Sequence, residues 1–307
     1  MEKLINSILK SLGAVQIGFL NQREALFGDW IGPWLDNAFN GDMKWMMRNR
    51  SIRRNPCSIL NDGKSIISIA FPYYTQTPVQ WKDQHLISNY AWGDDYHGVI
   101  KKRLKEALLR FTEEIPGFKG RAFTDSAPLP EKIIGAACGV GWIGKNSLLI
   151  SPEWGSYVFL AEIVCNLDLT STPPLPDKCG ACELCVNACP NGAIVDHQTV
   201  DATKCASYLT IEKHGGFNST EERQIHYHLF GCDSCQLACP WNSQLVPLEN
   251  SPFACNPKWL NLSLDTLADL TESHYNELKI KSPLKRIKIA GIRRNARAIL
   301  RNGLVSE

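Results

Sequence analysis

Residues 179–190 read CGACELCVNACP. Four thiols fall within eleven residues, at gaps of two, two and three, and a proline closes the run. Fifty residues further on half of the pattern returns: Cys182, Cys185, Cys189 and Pro190 are matched by Cys232, Cys235, Cys239 and Pro240. The stretch is therefore an internal duplication in which Cys179 has no counterpart, because Leu229 stands at its place. Two-residue gaps let a tight loop aim its sulfurs at three corners of one cubane, and the proline then turns the chain away.

The spacing C-x2-C-x2-C-x3-C-P is the bacterial ferredoxin run for 4Fe-4S clusters, in which the fourth cysteine reaches the neighbouring cluster. That rule groups Cys179, Cys182 and Cys185 with Cys239, and Cys189 with Cys232 and Cys235. Seven thiolates are thus in hand where two clusters need eight. Of Cys57, Cys138, Cys165, Cys205 and Cys255, only Cys205 lies between the two motifs, and it is the expected eighth ligand. A structural zinc site takes two separated C-x2-C pairs, which three thiols within seven residues fit poorly. The other four cysteines read as buried small residues.

The totals set the frame around this module. The chain has 307 residues, 44% hydrophobic and 21% charged, with a formal net charge of +2, so its average charge names no partner. No run of about eighteen apolar residues is present, and the start, MEKLINSILKSLGAVQIGFL, carries an acid and polar residues at helical spacing. These features lead to the expectation of a cytoplasmic protein, where clustered cysteines bind metal or do redox chemistry rather than form disulfides. Monomer is the default oligomeric state.

Before residue 170, helices and strands alternate. VIKKRLKEALLRFTEEI (99–115) places Ile100, Leu104, Ala107, Leu108, Phe111 and Ile115 on one helical face. KSIISIAFPYY (64–74) and SYVFLAEIV (156–164) read as strands. The proline-rich STPPLPDK (171–178) reads as a linker, and after residue 250 the chain looks helical. Two basic stretches stand out. Lys44, Arg48, Arg50, Arg53 and Arg54 form one; Lys279, Lys281, Lys285, Arg286, Lys288, Arg293, Arg294, Arg297 and Arg301 form the other, with no acid among them. An unneutralised patch of that kind points to a polyanion such as nucleic acid.

Taken in order along nearly the whole chain, YAWGDDYH (90–97), DSAP (125–128), GWIGKN (141–146), the double cysteine motif, CASYLTIEKHGG (205–216) and GCDSCQLACPWN (231–242) resemble the epoxyqueuosine reductases. The resemblance implies two 4Fe-4S clusters, with Cys205 among their ligands, and a cobalamin that no spacing in the chain reveals. It implies reduction of epoxyqueuosine to queuosine at the tRNA wobble position, fed by a low-potential donor of flavodoxin or ferredoxin type. It assigns Asp125 as general acid, a role in which burial beside a corrin would raise its pKa. It places Tyr96, His97, Lys145, Asn146, Ser207, Asp233 and Asp125 itself near the corrin. The basic C-terminal stretch, with Lys285, Arg286, Arg293, Arg294 and Arg297, is then the expected tRNA contact. The expected architecture is α+β or α/β: a cobalamin-binding α/β domain (1–170), an inserted bacterial-ferredoxin-like two-cluster domain (171–250) and a helical, basic C-terminal region (251–307).

Two other readings share some of these features. A corrinoid reductive dehalogenase would use the same cofactors, but the basic tail and the lack of an export signal weigh against it. A two-cluster electron carrier would leave some two hundred residues outside the cluster unit without a task, when a whole domain is commonly about 100 to 150 residues.

Overall fold

The computed structural model describes residues 1–76 and 86–303. The chain divides into two units, each drawn from separated segments: 1–36, 45–72 and 96–182 form one, and 37–44, 73–95 and 183–307 the other. This differs from the three consecutive regions expected from composition. Two short excursions from the N-terminal half belong with the C-terminal half, and no compositional break marks them.

In the first unit, four strands form a sheet in the order Gln16–Asn21, Ser65–Pro72, Val158–Cys165, Gly120–Phe123, every pair antiparallel. The fold is thus α+β around this sheet. Both inner strands are apolar almost throughout because helices cover both of their faces. Ile66, Ala70, Leu160 and Val164 pack with Ile134 and Cys138, on and just after the helix Glu131–Ala137. Phe71, whose side chain alternates to the opposite face, lies under Arg103 of the helix Tyr96–Glu114. That helix buries Ile100, Leu104, Ala107 and Phe111 as its periodicity requires, whereas Leu108 is half-buried.

One row across the sheet carries two polar side chains at its centre, Ser68 and Glu162. Gly18 pairs with Ser68, Ser68 with Glu162, and Glu162 with Phe123. Gly18 has to be glycine, since a Cβ there would lie 1.8 Å from the Cys138 carbonyl oxygen. Ser171 and Thr172 do not act as free linker. The Ser171 hydroxyl accepts from the Asn21 amide at 2.9 Å and the Thr172 amide donates to the Phe19 carbonyl at 2.9 Å, so the start of STPPLPDK covers an edge strand.

The second unit carries the short parallel pair Leu86–Ile87 with His228–Phe230 and a helical C-terminal part, Pro257–Leu260, Leu264–Ala268, Glu272–Leu278 and Lys288–Arg301. Asn295, fully buried in the last helix, donates to the Thr210 and Leu229 carbonyls at 2.9 and 2.8 Å. Among the described residues no helix is long and apolar enough to cross a membrane.

Ile69 is fully buried in the inner strand. Ile69→Ala should lower the unfolding free energy by about 2–5 kcal/mol, read from urea denaturation; a change below about 1 kcal/mol would mean that the sheet does not carry the unit's stability.

Candidate functional site

Asp125 follows the strand Gly120–Phe123 in a bend, with φ of 45°, a left-handed conformation that aspartate adopts more readily than most residues. Its side chain is 63% exposed and meets two groups from the start of the long helix. The Tyr96 hydroxyl donates to Asp125 Oδ2 at 2.6 Å, and His97 Nε2 lies 3.4 Å from the same oxygen. Tyr96 is itself held flat against Phe159, ring centroids 4.3 Å apart at 9°, and stacks on His97. The backbone amide of Asp125 donates to Glu131 Oε1 at 2.6 Å. The turn is therefore fixed from the amide side and its carboxylate from the helix side.

Behind Glu131 lies a second carboxyl. Glu162 is fully buried in the central strand, where Oε1 takes the Ser68 hydroxyl at 3.3 Å and Oε2 has no donor. Burial pushes Glu162 well above the usual carboxylate range, and the charge and hydrogen bond of Glu131 push it further. Burial raises Glu131 to about 8, the nearby charge of Asp125 adding to the shift while the Asp125 amide, Glu162 and His97 oppose it. Neither glutamate was expected from the sequence. The signals are present: a lone acid in the apolar run VFLAEIVC (158–165), and an acid six residues after Asp125 at a helix start.

GWIGKN forms a hairpin, Trp142–Ile143 with Leu149–Ile150. Asn146 in its loop is 5% exposed; its Oδ1 accepts from the Leu148 amide at 3.2 Å, and its Nδ2 has no partner. Lys145 beside it is half-buried.

The cysteines fall on both units. Cys179 and Cys182 close the first, and the other six belong to the second. Cys205 precedes the helix Ala206–Ile211. Burial raises its thiol pKa; the amides of Tyr208 and Ser207 oppose this, and Cys232 and Cys189 add to it. Cys235 is raised by burial and then by Cys232, Cys205 and Cys189, so these four thiols lie within electrostatic reach of one another. The helices that follow the two cysteine turns, Leu184–Asn187 and Ser234–Leu237, pack together. Among the described residues no three His, Cys, Asp or Glu converge on a single ion position. A zinc ion needs all its sulfurs about 2.3 Å from one point, whereas a cubane is held at separate corners.

The Asp233 carboxylate accepts from the Ser88 hydroxyl, from the Asn89 amide at 2.6 Å and from Gln236 at 3.1 Å. Ser207, two residues after Cys205, is half-buried. The basic C-terminal stretch, expected to be unneutralised, is paired with acids at four of its nine cations. Acids distant in sequence meet it: Lys285 pairs with Asp95 at 2.5 Å, Arg286 with Glu212 at 2.7 Å, Arg297 with Asp269 at 3.1 Å and Arg301 with Glu222 at 2.7 Å. Arg293 caps the Leu270 carbonyl. Arg294 bonds the carbonyls of Lys213 and Leu209 at 2.6 and 3.1 Å, and burial lowers its pKa to about 10. In the shorter basic stretch Arg53 is 5% exposed. Sequence counting sees charges along the chain, and the fold pairs them across it.

A family model of the 4Fe-4S double cluster binding domain matches residues 178–242, and one described as epoxyqueuosine reductase QueG matches residues 53–126. The epoxyqueuosine reductase of Cellulophaga algicola is 39% identical over 288 residues, 92% of this chain and 94% of that one. That of Gloeobacter violaceus is 38% identical over 305 residues, 96% and 94% of the two chains. A crystal structure of an epoxyqueuosine reductase with a tRNA-Tyr epoxyqueuosine-modified stem loop superposes with a TM-score of 0.88 at 26% identity, covering 97% of this chain and 80% of that one. A Bacillus subtilis epoxyqueuosine reductase whose aspartate-bearing catalytic loop is swung out of the active site gives 0.87 at 25%, with the same coverage. Identity at this level, sustained along both units, means that the chain belongs to the epoxyqueuosine reductase family and carries its 4Fe-4S double cluster binding domain.

Proposed function

We propose that this chain reduces epoxyqueuosine in tRNA to queuosine. Both C–O bonds of the epoxide break, two electrons and two protons are consumed, an alkene forms and the oxygen leaves as water. Family membership supports the reaction, and the observation that carries its chemistry is the Asp125 turn: an exposed carboxyl on a left-handed bend, held by Tyr96, His97 and Glu131.

Cys179, Cys182, Cys185 and Cys239 would hold one cluster, and Cys189, Cys205, Cys232 and Cys235 the other. The mutual reach of the second four supports that grouping. A corrinoid fits the first unit, where the orphaned Asn146 amide is a buried donor that a propionamide or phosphate oxygen would satisfy; Lys145, Tyr96 and His97 are the neighbours proposed to flank it. When bound, cobalamin supplies a strongly reducing centre, and the clusters bring its electrons from a low-potential flavodoxin- or ferredoxin-type donor. Asp125 gives the departing oxygen its proton, while Tyr96 and His97 fix the orientation of its carboxyl. Exposed Lys285, Arg286 and Arg297 exchange their carboxylate partners for tRNA phosphates; Arg293 and Arg294 act as scaffold for that surface.

Asp125→Asn, which keeps size and loses the proton, should retain iron and corrinoid but lower turnover by at least about 100-fold, measured by mass spectrometry of nucleosides from digested tRNA; wild-type turnover would remove Asp125 as donor. Cys205→Ser should lose about four irons per chain by iron and sulfide analysis, and full iron content would assign the eighth ligand elsewhere. Lys285→Gln with Arg297→Gln should flatten the salt dependence of tRNA binding, by roughly 0.7 to 0.9 in log–log slope for each phosphate no longer neutralised; an unaltered slope would place the tRNA on another surface.

A further inference from the structure

The reduction consumes two protons, and Asp125 carries one at a time. Glu131 is placed to supply the other. Its Oε1 accepts the Asp125 amide at 2.6 Å, so its carboxyl lies alongside the residue that would need recharging. On its other side Glu131 meets Glu162, which is fully buried in the central strand of the sheet.

Elementary electrostatics decides the protonation of this pair. Among the described residues no lysine or arginine is paired with either carboxyl. The facing groups are the Ser68 hydroxyl from the neighbouring strand, Cys138 just after the helix that begins with Glu131, Asp125 from its turn, and His97 from the long helix. Of these only His97 can carry positive charge, and it lies against Asp125. Two adjoining carboxylates without a cation, Glu162 fully buried and Glu131 half-buried, cannot both ionise readily. The donor-less Glu162 Oε2 states the same requirement in hydrogen-bond terms, because a proton between the carboxyls would satisfy it and no donor among the described residues does.

We propose that Glu131 is a positioning residue and proton reserve for Asp125: held against Glu162, it keeps the Asp125 turn in place and returns a proton to the Asp125 carboxylate after the first transfer. This rests on the reading of Asp125 as the donor. The transfer runs from the Glu131 carboxyl to an Asp125 carboxylate oxygen, directly or through one water; the Asp125 carboxyl is restored, Glu131 is left as carboxylate against the protonated Glu162, and solvent recharges it after product leaves. Both protons then reach the substrate through one residue on a turn that stays closed. The Bacillus subtilis relative with its catalytic loop swung out shows that such a turn is able to leave its site, and the Glu131 acceptor is a contact that holds its backbone here.

The sign of the pH dependence follows. Glu131 has its pKa raised to about 8, so its proton is present at neutral pH and is lost as pH rises through that value. The experiment is the pH profile of kcat for the cofactor-loaded enzyme on an epoxyqueuosine tRNA stem loop, together with an infrared titration of the protonated-carboxyl stretch. Wild type should lose kcat with one ionisation near pH 8, and an infrared band should bleach over the same range. Glu131→Gln keeps an oxygen for the Asp125 amide, so a role limited to holding the turn would be rescued. A proton reserve is not rescued: kcat should drop by about tenfold or more with unchanged KM, and the alkaline limb and the titrating band should both vanish. Glu162→Gln donates an amide proton to Glu131 and should move the limb down by about one pH unit. If that variant does not fold, the infrared comparison of wild type with Glu131→Gln decides. Wild-type kcat and pH profile in Glu131→Gln, or no titrating band in wild type, would overturn the proposal. With Asp125→Asn inactive, such a result removes the reserve alone; full activity in Asp125→Asn removes the donor reading itself.

Discussion

A carboxyl placed where water cannot reach it is the constraint around which the candidate site is arranged. Glu162 sits in an inner strand whose other residues are apolar, opposite Ser68 and under the helix that begins with Glu131. Leaving it ionised and unpaired there would cost several kcal/mol, so burial, and Glu131 beside it, favour its protonated form. Glu131 in turn accepts the Asp125 amide, and the Asp125 carboxyl meets Tyr96 and His97. A polar chain thus runs from the middle of the core to the Asp125 turn, and each link fixes the next. Glycine at position 18, pressed on the Cys138 carbonyl, belongs to the same row and lets the helix end lie close to the sheet.

The cysteine module is a separate construction with its own logic. Duplicated turns place two short helices against each other, and Cys205, supplied by the segment between the turns, joins Cys189, Cys232 and Cys235. Cys205 is raised by Cys232 and Cys189, and Cys235 by Cys232, Cys205 and Cys189, which disfavours their thiolates; the iron ions of a cluster would reverse the sign of that interaction. The gathering is thus suited to a cluster and poorly suited to free thiols.

What the sequence disclosed follows the range of the forces involved. Local patterns were legible: the strands at 65–72 and 158–165, the face of the long helix, the cysteine spacings and the Asp125 turn all depend on neighbours a few residues apart. Relations across the chain were not. Asp95, Glu212 and Asp269 neutralise cations 28 to 190 residues away in sequence, and with Glu222 they pair four of the nine cations of a run that suggests an open patch. Asp233, which lies within the second cysteine motif, proves to be tied to Ser88 and Asn89. Even the division into two units, with 37–44 and 73–95 crossing to the C-terminal half, has no signature in composition. Glu162 was visible as the one acid in an apolar strand, but its meaning required the helix that brings Glu131 to it.

Neutron diffraction from crystals of the deuterium-exchanged holoenzyme at neutral pH tests the central claim most directly, because it locates protons. The account predicts deuterium on Glu162 directed at Glu131, a second on the Glu131 carboxyl, and the Asp125 amide pointing at Glu131 Oε1. Two bare carboxylates at Glu131 and Glu162, balanced by a bound cation, would contradict it.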